Sequence, residues 1–158
     1  MEFLQQYYIV IIGCLFLCVF GAMTWLTHKE KKWVKNNYKK QDIIALGFGV
    51  ICYGLSSDHG EPKHYKGFLL IHRHGLLFKG RFSNIKFDVP GKSIQKVFHG
   101  DSHKGTRLYR SAVMVDFLSP MKIQETKTQD AKIMDTIAFK LSYPPQWIKI
   151  IGKAFIKK

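Results

Sequence analysis

The sequence predicts a single N-terminal transmembrane α-helix followed by a mainly-β domain that ends in an amphipathic helix. Three observations support this fold class. Residues 7–26 form an apolar run with no charged side chain, and residues 43–141 contain short apolar runs separated by Gly, Pro, Asn and Asp. After Pro144 the apolar spacing becomes that of a helix. The chain has 158 residues, so the part beyond the apolar run and its basic flank has the usual length of one domain.

The apolar run is long enough to span a bilayer. Its 20 residues reach roughly 30 Å as a helix, the thickness of the hydrocarbon core. Tyr7, Tyr8 and Trp25 stand near its ends, where aromatic rings favour the membrane interface. The alternatives are a buried helix of a soluble domain and a cleaved signal peptide, since residues 11–14 loosely resemble a lipoprotein cleavage site. The length of the run and the lack of a basic residue before it favour an uncleaved single-pass anchor.

A basic segment follows the anchor. It holds six lysines and one glutamate, whereas the other flank has no Lys or Arg. The positive-inside rule then predicts a cytoplasmic C-terminal domain and an outward-facing N-terminus. We divide the chain into an anchor (1–28), a basic juxtamembrane stalk (29–41) and a domain (42–158), with the stalk as a solvated linker or, alternatively, a continuation of the helix. The lysines expected at the membrane surface are Lys29, Lys31, Lys32, Lys35, Lys39 and Lys40.

Small side chains recur every four residues on one face of the predicted anchor. Faces of this kind let transmembrane helices approach closely, although chance spacing gives the same pattern. The residues predicted to pack against other membrane proteins are Cys14, Cys18, Gly21 and Ala22.

Seven strands are predicted in the domain. Residues 43–55 are too few for a second span and contain three glycines, which indicates a bent strand. Two apolar runs on either side of His74 and Gly75 indicate a hairpin, with strands at 67–73 and 76–79. Alternating or short apolar runs predict the other strands, at 85–89, 94–98, 111–118 and 136–141.

Polar segments and one helix complete the domain. Polar loops are predicted at residues 56–66 and 99–110, and a poorly patterned polar stretch covers 119–135. Pro144 and Pro145 favour the first turn of a helix. The apolar residues on one face of that helix are Trp147, Ile148, Ile151, Ala154 and Phe155.

The net charge is +14, of which residues 42–158 carry +10 from 19 Lys and Arg against 9 Asp and Glu. Such a field attracts anionic lipid, nucleic acid or acidic proteins. Acidic phospholipids of the cytoplasmic leaflet are the nearest polyanion for an anchored domain, so the bilayer and acidic lipids are predicted partners. The strands show no base-stacking pattern, and nucleic acid is not expected as a partner.

No catalytic or metal-binding set emerges from the sequence. The three cysteines form neither a disulfide framework nor a zinc motif. His72 and His74 could share a metal, but two histidines on a sheet surface are more often ordinary polar residues. A nucleophile, a base and an orienting group cannot be assembled, so we predict no enzyme and no cofactor.

Residues 67–98 resemble the GRAM and bacterial pleckstrin-homology-like pattern, in which a strand, a turn and a strand ending in Phe precede a Pro, a spacer and an Ile. Pro90 and Ile94 supply that last step here. The element order over roughly residues 43–157 is similar to the pleckstrin-homology superfold, a bent seven-strand antiparallel barrel closed at one end by a C-terminal helix. Members of this superfold bind phosphoinositides or other lipid headgroups, or dock proteins.

The resemblance implies a phosphate site on the first strand-loop-strand. The positions that match it are Lys63, His64, Lys66 and Arg73. A second basic loop could also bind anions, or could be an ordinary solvated loop. Its candidate residues are Lys104, Arg107 and Arg110, beside His99 and His103.

The predicted function is that of a non-enzymatic, membrane-anchored interaction module, a subunit or scaffold of a membrane protein complex that docks through its barrel. The alternatives are a domain that binds anionic lipid headgroups or senses the leaflet, and a membrane-tethered nucleic-acid binder. The GRAM-like pattern and the compact size suggest a bacterial inner membrane.

Overall fold

The computed structural model describes residues 2–58, 60–120 and 132–156. The chain divides into two compact units, residues 1–39 and residues 40–158. Each unit is built from its own local sequence pattern, the first helical and the second almost entirely β.

The first unit is one helix, α1, Glu2–Asn37. Its segment Val10–Asn37 is long and apolar enough to cross a membrane, and none of the most apolar part is buried within the structure. That exposure disfavours a soluble core helix, whereas a signal sequence would have the same length and composition. Of the two alternatives for the stalk, the structure shows a continuation of the helix as far as Asn37. Lysines are good helix formers and extend a helix that the apolar run has already started.

The second unit is a seven-stranded antiparallel sheet and a C-terminal helix. Short 3₁₀ turns, Lys40–Asp42 and Gly91–Ser93, precede its first and fifth strands. The strands are β1 Ile43–Leu55, β2 Tyr65–His72, β3 Gly75–Gly80, β4 Lys86–Pro90, β5 Ile94–His103, β6 Thr106–Pro120 and β7 Lys132–Lys140. The helix, α2, is Pro144–Phe155.

The strand order is β4-β3-β2-β1-β7-β6-β5. Its two ends, β4 and β5, do not pair with each other in the part of the chain that the structure describes. The sheet is therefore not closed into a barrel. β1 bends as its glycines predict, with register shifts against β2 and positive φ angles of 67° at Gly49 and 82° at Gly54.

The main core lies between the sheet and α2. Ile151 is fully buried, and the other apolar residues predicted on the helix face all pack against the same core, which confirms that face. Trp147 lies so close to β1 that a Cβ at Gly47 would be 2.8 Å from its Cζ2 atom. Glycine at this position lets the helix approach the strand.

The β2–β3 hairpin differs from the prediction in two details. The β2–β3 turn consists of Arg73 and His74, and Gly75 is the first residue of β3, opposite His72. A Cβ at Gly75 would clash with the backbone of β4 at Val89, which explains the glycine.

The predicted basic loop 99–110 is mostly strand. β5 and β6 continue to a two-residue turn, where Lys104 has φ 53° and Gly105 has φ 72°. Two positive φ values define the tight turn that matches the twist of a hairpin. The Lys104-Gly105 pair was the signal for this turn in the sequence. The turn was not predicted, because the strands around it are polar and resemble a loop.

Candidate functional site at the end of β1

The turn that follows β1 is fixed to the start of β7 by one carboxylate. Asp135 is 2% exposed and accepts hydrogen bonds from Ser56 Oγ (2.5 Å), Ser57 Oγ (2.5 Å), the Ser57 amide (3.1 Å) and the Thr136 amide (2.8 Å). The Ser56 amide also donates to the Thr136 carbonyl at 2.8 Å. We call Ser56, Ser57, Asp135 and Thr136 the Asp135 cluster. It joins residues about 80 positions apart in the chain.

The environment of Asp135 keeps it ionised. Burial alone raises the pKa of its carboxyl, but the hydrogen bonds from Ser56, Ser57 and the Thr136 backbone together outweigh burial, so the pKa is lowered. The carboxylate oxygens are therefore occupied acceptors. Asp135 is therefore better suited to holding the turn against β7 than to transferring protons.

His103 ties the β5–β6 hairpin to the same end of β1. Its ring is 3% exposed, and Nε2 lies 3.1 Å from the Gly54 carbonyl oxygen. The carbonyl can only accept, so Nε2 donates. Burial lowers the pKa of His103, and the ring is neutral near pH 7.

Cys52 lies beneath this region and is chemically quiet. Burial raises the pKa of its thiol to about 12. A thiolate is the reactive form of cysteine, and it is almost absent at neutral pH with such a pKa. Cys52 is therefore a core residue.

Both segments with predicted basic sites contact this end of β1. The His64 ring makes an edge contact with the Tyr53 ring, with 5.1 Å between centroids, and the neighbouring Gly54 contacts His103. The β1–β2 connection, which carries the exposed Lys63, and the β5–β6 hairpin thus each contact the last residues of β1.

The three residues predicted in the second basic loop are in different environments. The Lys104 ammonium is buried without a hydrogen-bond partner among the described residues, whereas Arg107 is exposed and lies opposite Ser102 in the hairpin. Arg110 belongs to β6, and its side chain is outside the described residues.

Arg73 does not join these residues. It lies in the turn at the far end of β2, where its amide donates to the Asp42 carbonyl (3.0 Å) and its Nε is 3.7 Å from Asp42 Oδ1. Arg73 is seven residue steps along the strand from Lys66, roughly 23 Å at about 3.3 Å per residue. The phosphate site implied by the resemblance is therefore divided between two ends of the sheet.

Sequence analysis did not predict that the β3–β4 turn, which contains Arg81, lies next to Lys66. The Arg81 amide donates to the Lys66 carbonyl at 2.7 Å, and the adjacent Phe82 is 74% exposed in the β3–β4 connection. The available signal was an aromatic residue next to an arginine, outside any alternating pattern.

The histidine pair lies in the β2–β3 hairpin. His72 is buried and His74 exposed, with 6.2 Å between ring centroids, and the His74 amide donates to His72 Nδ1 at 3.3 Å. No group of three or more potential metal ligands comes together within the described ranges.

The residues predicted on the anchor lie along α1. Cys14 and Cys18 are exposed, as are Gly21 and Ala22, so this face has room for another helix. The Lys29 ammonium lies 3.9 Å from the centroid of the Trp25 ring. All six lysines predicted at the membrane surface are exposed.

A cleft of about 530 Å³ lies at the opposite end of the β1–β7 pairing. Gly49 and Ile51 line one wall, and residues 140–144 line the rest. Tyr143 is 78% exposed there and has left-handed backbone angles, φ 56° and ψ 59°. Nothing in the sequence pattern indicated this cleft, because the residues that line it become neighbours only through strand pairing.

No protein-family model matches the chain, and a search of curated proteins also finds no match.

Proposed function

We propose that this chain is a membrane-anchored, non-enzymatic interaction module, a subunit or scaffold of a membrane protein complex. We further propose that its domain is pleckstrin-homology-like or GRAM-like and serves for docking. Seven antiparallel strands in a continuous order, followed by one C-terminal helix, support that assignment.

The observation that carries the proposal is that buried polar groups of the domain make structural hydrogen bonds. Asp135 accepts four hydrogen bonds from Ser56, Ser57 and Thr136, and His103 donates one to the Gly54 carbonyl. Cys52 is buried with a raised pKa. Groups engaged in this way hold loops in place, which favours a rigid binding surface over a reaction centre.

Helix α1 is proposed to be a single-pass anchor with its N-terminus outside and the domain in the cytoplasm, in a bacterial inner membrane. The support for the orientation is the set of six exposed lysines on the C-terminal side of the apolar run. Other membrane proteins are the proposed partners of the small-residue face.

The test is gentle detergent extraction of the tagged full-length chain, followed by size separation and mass spectrometry. We expect a defined set of membrane proteins that is lost when Cys14, Cys18 and Ala22 are all changed to Leu, because larger side chains prevent close helix approach. The matched control is Phe16→Leu with Phe20→Leu, on the opposite face, which should retain the set. A chain that migrates alone with lipid would contradict the proposal.

A second candidate function is binding of anionic lipid headgroups. The hydrogen bond between Arg81 and Lys66 favours it, because it places an arginine and the exposed Phe82 beside the basic β1–β2 connection. Cations around an exposed aromatic ring suit the interface of an acidic bilayer.

Binding of the domain, residues 40–158, to vesicles with and without acidic lipid would test this second candidate. Lys63→Gln with Lys66→Gln should weaken binding to acidic vesicles by about thirtyfold, at about 1 kcal/mol per lysine near an acidic surface. The control, Arg73→Gln with Lys92→Gln, removes the same charge at the other end of the sheet, where the Gly91 amide binds the His74 carbonyl. Equal losses in both pairs would mean that overall charge, and no particular site, determines binding.

A further inference from the structure

β1 has neighbours on both sides along only part of its length. It pairs with β2 from Ile43 to Cys52, but its pairing with β7 begins at Ile51, opposite Lys140. Before Ile51 no strand lies on the β7 side of β1 in the described part of the chain. We call this side of residues 43–50 the open β1 edge. A strand edge with no neighbour is a template for pairing with another chain.

The end of β7 creates this edge. β7 stops at Lys140, and the chain turns away through residues 141–143 into α2. The cleft of about 530 Å³ occupies the vacated side of the strand, with Gly49 and Ile51 on its β1 wall. Gly49 is exposed, and a Cβ placed on it would meet no atom within 4 Å. The cleft therefore provides space for another backbone beside β1 at its Gly49 end.

The side chains around the cleft indicate what would fit. Lys140 is its charged lining residue, Ile51 and Leu141 are apolar, and no Asp or Glu lines it among the described residues. Ser142 and Tyr143 add hydroxyl groups at the α2 end. The domain as a whole carries a large positive charge. This combination complements an acidic segment with some apolar side chains.

Tyr143 has the features of a contact residue. Its side chain is 78% exposed, although its backbone is left-handed, a conformation that non-glycine residues adopt rarely. Tyrosine provides a large, rigid contact area and is enriched at protein interfaces. Its position at the cleft would let the ring pack on an inserted segment.

We propose that the open β1 edge and its cleft bind an extended, acidic segment of a partner protein, which adds a strand beside β1 and directs a carboxylate to Lys140. This inference rests on the proposed docking function and names its surface. The backbone of β1 supplies affinity, while Lys140 and Tyr143 supply specificity.

Hydrogen exchange of the full-length chain tests the strand addition directly. The chain is measured alone in detergent and again in the complex obtained by gentle extraction. Amides of residues 44–50 should exchange at least about tenfold more slowly in the complex, because new strand pairing protects them. Amides of β4, at the edge of the sheet, are the internal control and should not change.

Charge reversal tests the partner chemistry. Lys140→Glu should reduce recovery of the partner by about tenfold, equivalent to about 1.4 kcal/mol, whereas Lys149→Glu on the exposed side of α2 should not. If Lys140→Glu unfolds the domain, Tyr143→Ala gives the same test at an exposed side chain.

The outcomes separate this inference from the proposed function. An intact complex without protection of residues 44–50 would overturn the site and leave the docking function standing. Absence of any complex would overturn both. Protection that appears with increasing concentration of the chain alone would show that a second copy, and not an acidic partner, occupies the edge.

Discussion

The two halves of β1 differ in the strands and side chains that lie beside them. Residues 51 and 52 have a strand on each side, and residues 53–55 continue beside β7 after the pairing with β2 ends at Cys52. The strand end is fixed by His103 and the Asp135 cluster. Residues 43–50 have β2 on one side and a cleft beside Gly49 on the other. One strand therefore combines a closed half, where buried polar groups provide stability, with an open half that has no neighbouring strand on one side in the described part of the chain.

The strongest test of the closed half is Asp135→Ala. It removes the charged acceptor of four part-buried hydrogen bonds, so we expect a loss of about 3 kcal/mol in the free energy of unfolding. Denaturant unfolding of residues 40–158, followed by the fluorescence of Trp147, measures the loss.

The control for this variant is Asp88→Ala. Asp88 is half exposed and lies 3.3 Å from the Lys86 ammonium, a surface pair whose removal should cost less than about 0.5 kcal/mol. Similar losses at Asp135 and Asp88 would contradict the importance assigned to the cluster.

Acid should weaken the closed half in two steps. Burial lowers the pKa of His103 below that of an unfolded histidine, about 6.5, so the unfolded state binds the proton more readily. Stability is then complete above about pH 6.5 and declines as the pH falls toward the folded pKa of His103. The lowered pKa of Asp135 adds a further decline below about pH 4.

Substitution of His103 tests whether this residue causes the first decline in stability. His103→Gln should make the free energy of unfolding less dependent on pH between 7 and 5. Burial also lowers the pKa of His72, so His72→Gln measures the share from the β2–β3 end of the sheet. A pH profile unchanged by His103→Gln would exclude His103 as a source of the acid sensitivity.

Alanine at two β1 glycines compares the halves directly. Gly49→Ala should cost about 1 kcal/mol through left-handed backbone strain alone, because its Cβ meets no neighbour within 4 Å. Gly54→Ala has the same strain, and its Cβ would also lie 3.3 Å from Asp58 Oδ2, so its cost should be larger. Equal unfolding midpoints for the two variants would mean that the closed half is no more tightly packed than the open half.

The smallest expected change is an increase in stability. Tyr143→Asn should raise the free energy of unfolding by about 0.5 kcal/mol, because Asn tolerates left-handed angles and is a favoured residue at a helix N-cap. The same variant should bind the proposed partner more weakly. Greater stability with unchanged partner recovery would remove Tyr143 from the docking surface.

Elements built from local patterns were predicted well. The predicted bounds of the first strand, 43–55, match Ile43–Leu55, and the apolar face of α2 was correct. Apolar periodicity and the positions of Gly and Pro are sufficient there, because each reports burial of one face of one element. The extended β5–β6 hairpin was missed because its exposed strands are polar and carry no such periodicity.

The sequence by itself determined the apolar helix, the basic segment after it, the β-rich character of the domain and the amphipathic terminal helix. Tertiary structure alone decided that Ser56 meets Asp135 across 79 positions, that Gly54 meets His103 across 49, and that Arg73 lies apart from Lys66. It also decided where β7 ends beside β1. These features depend on register between distant strands, which many residues set together through packing and backbone pairing, and no local pattern encodes them.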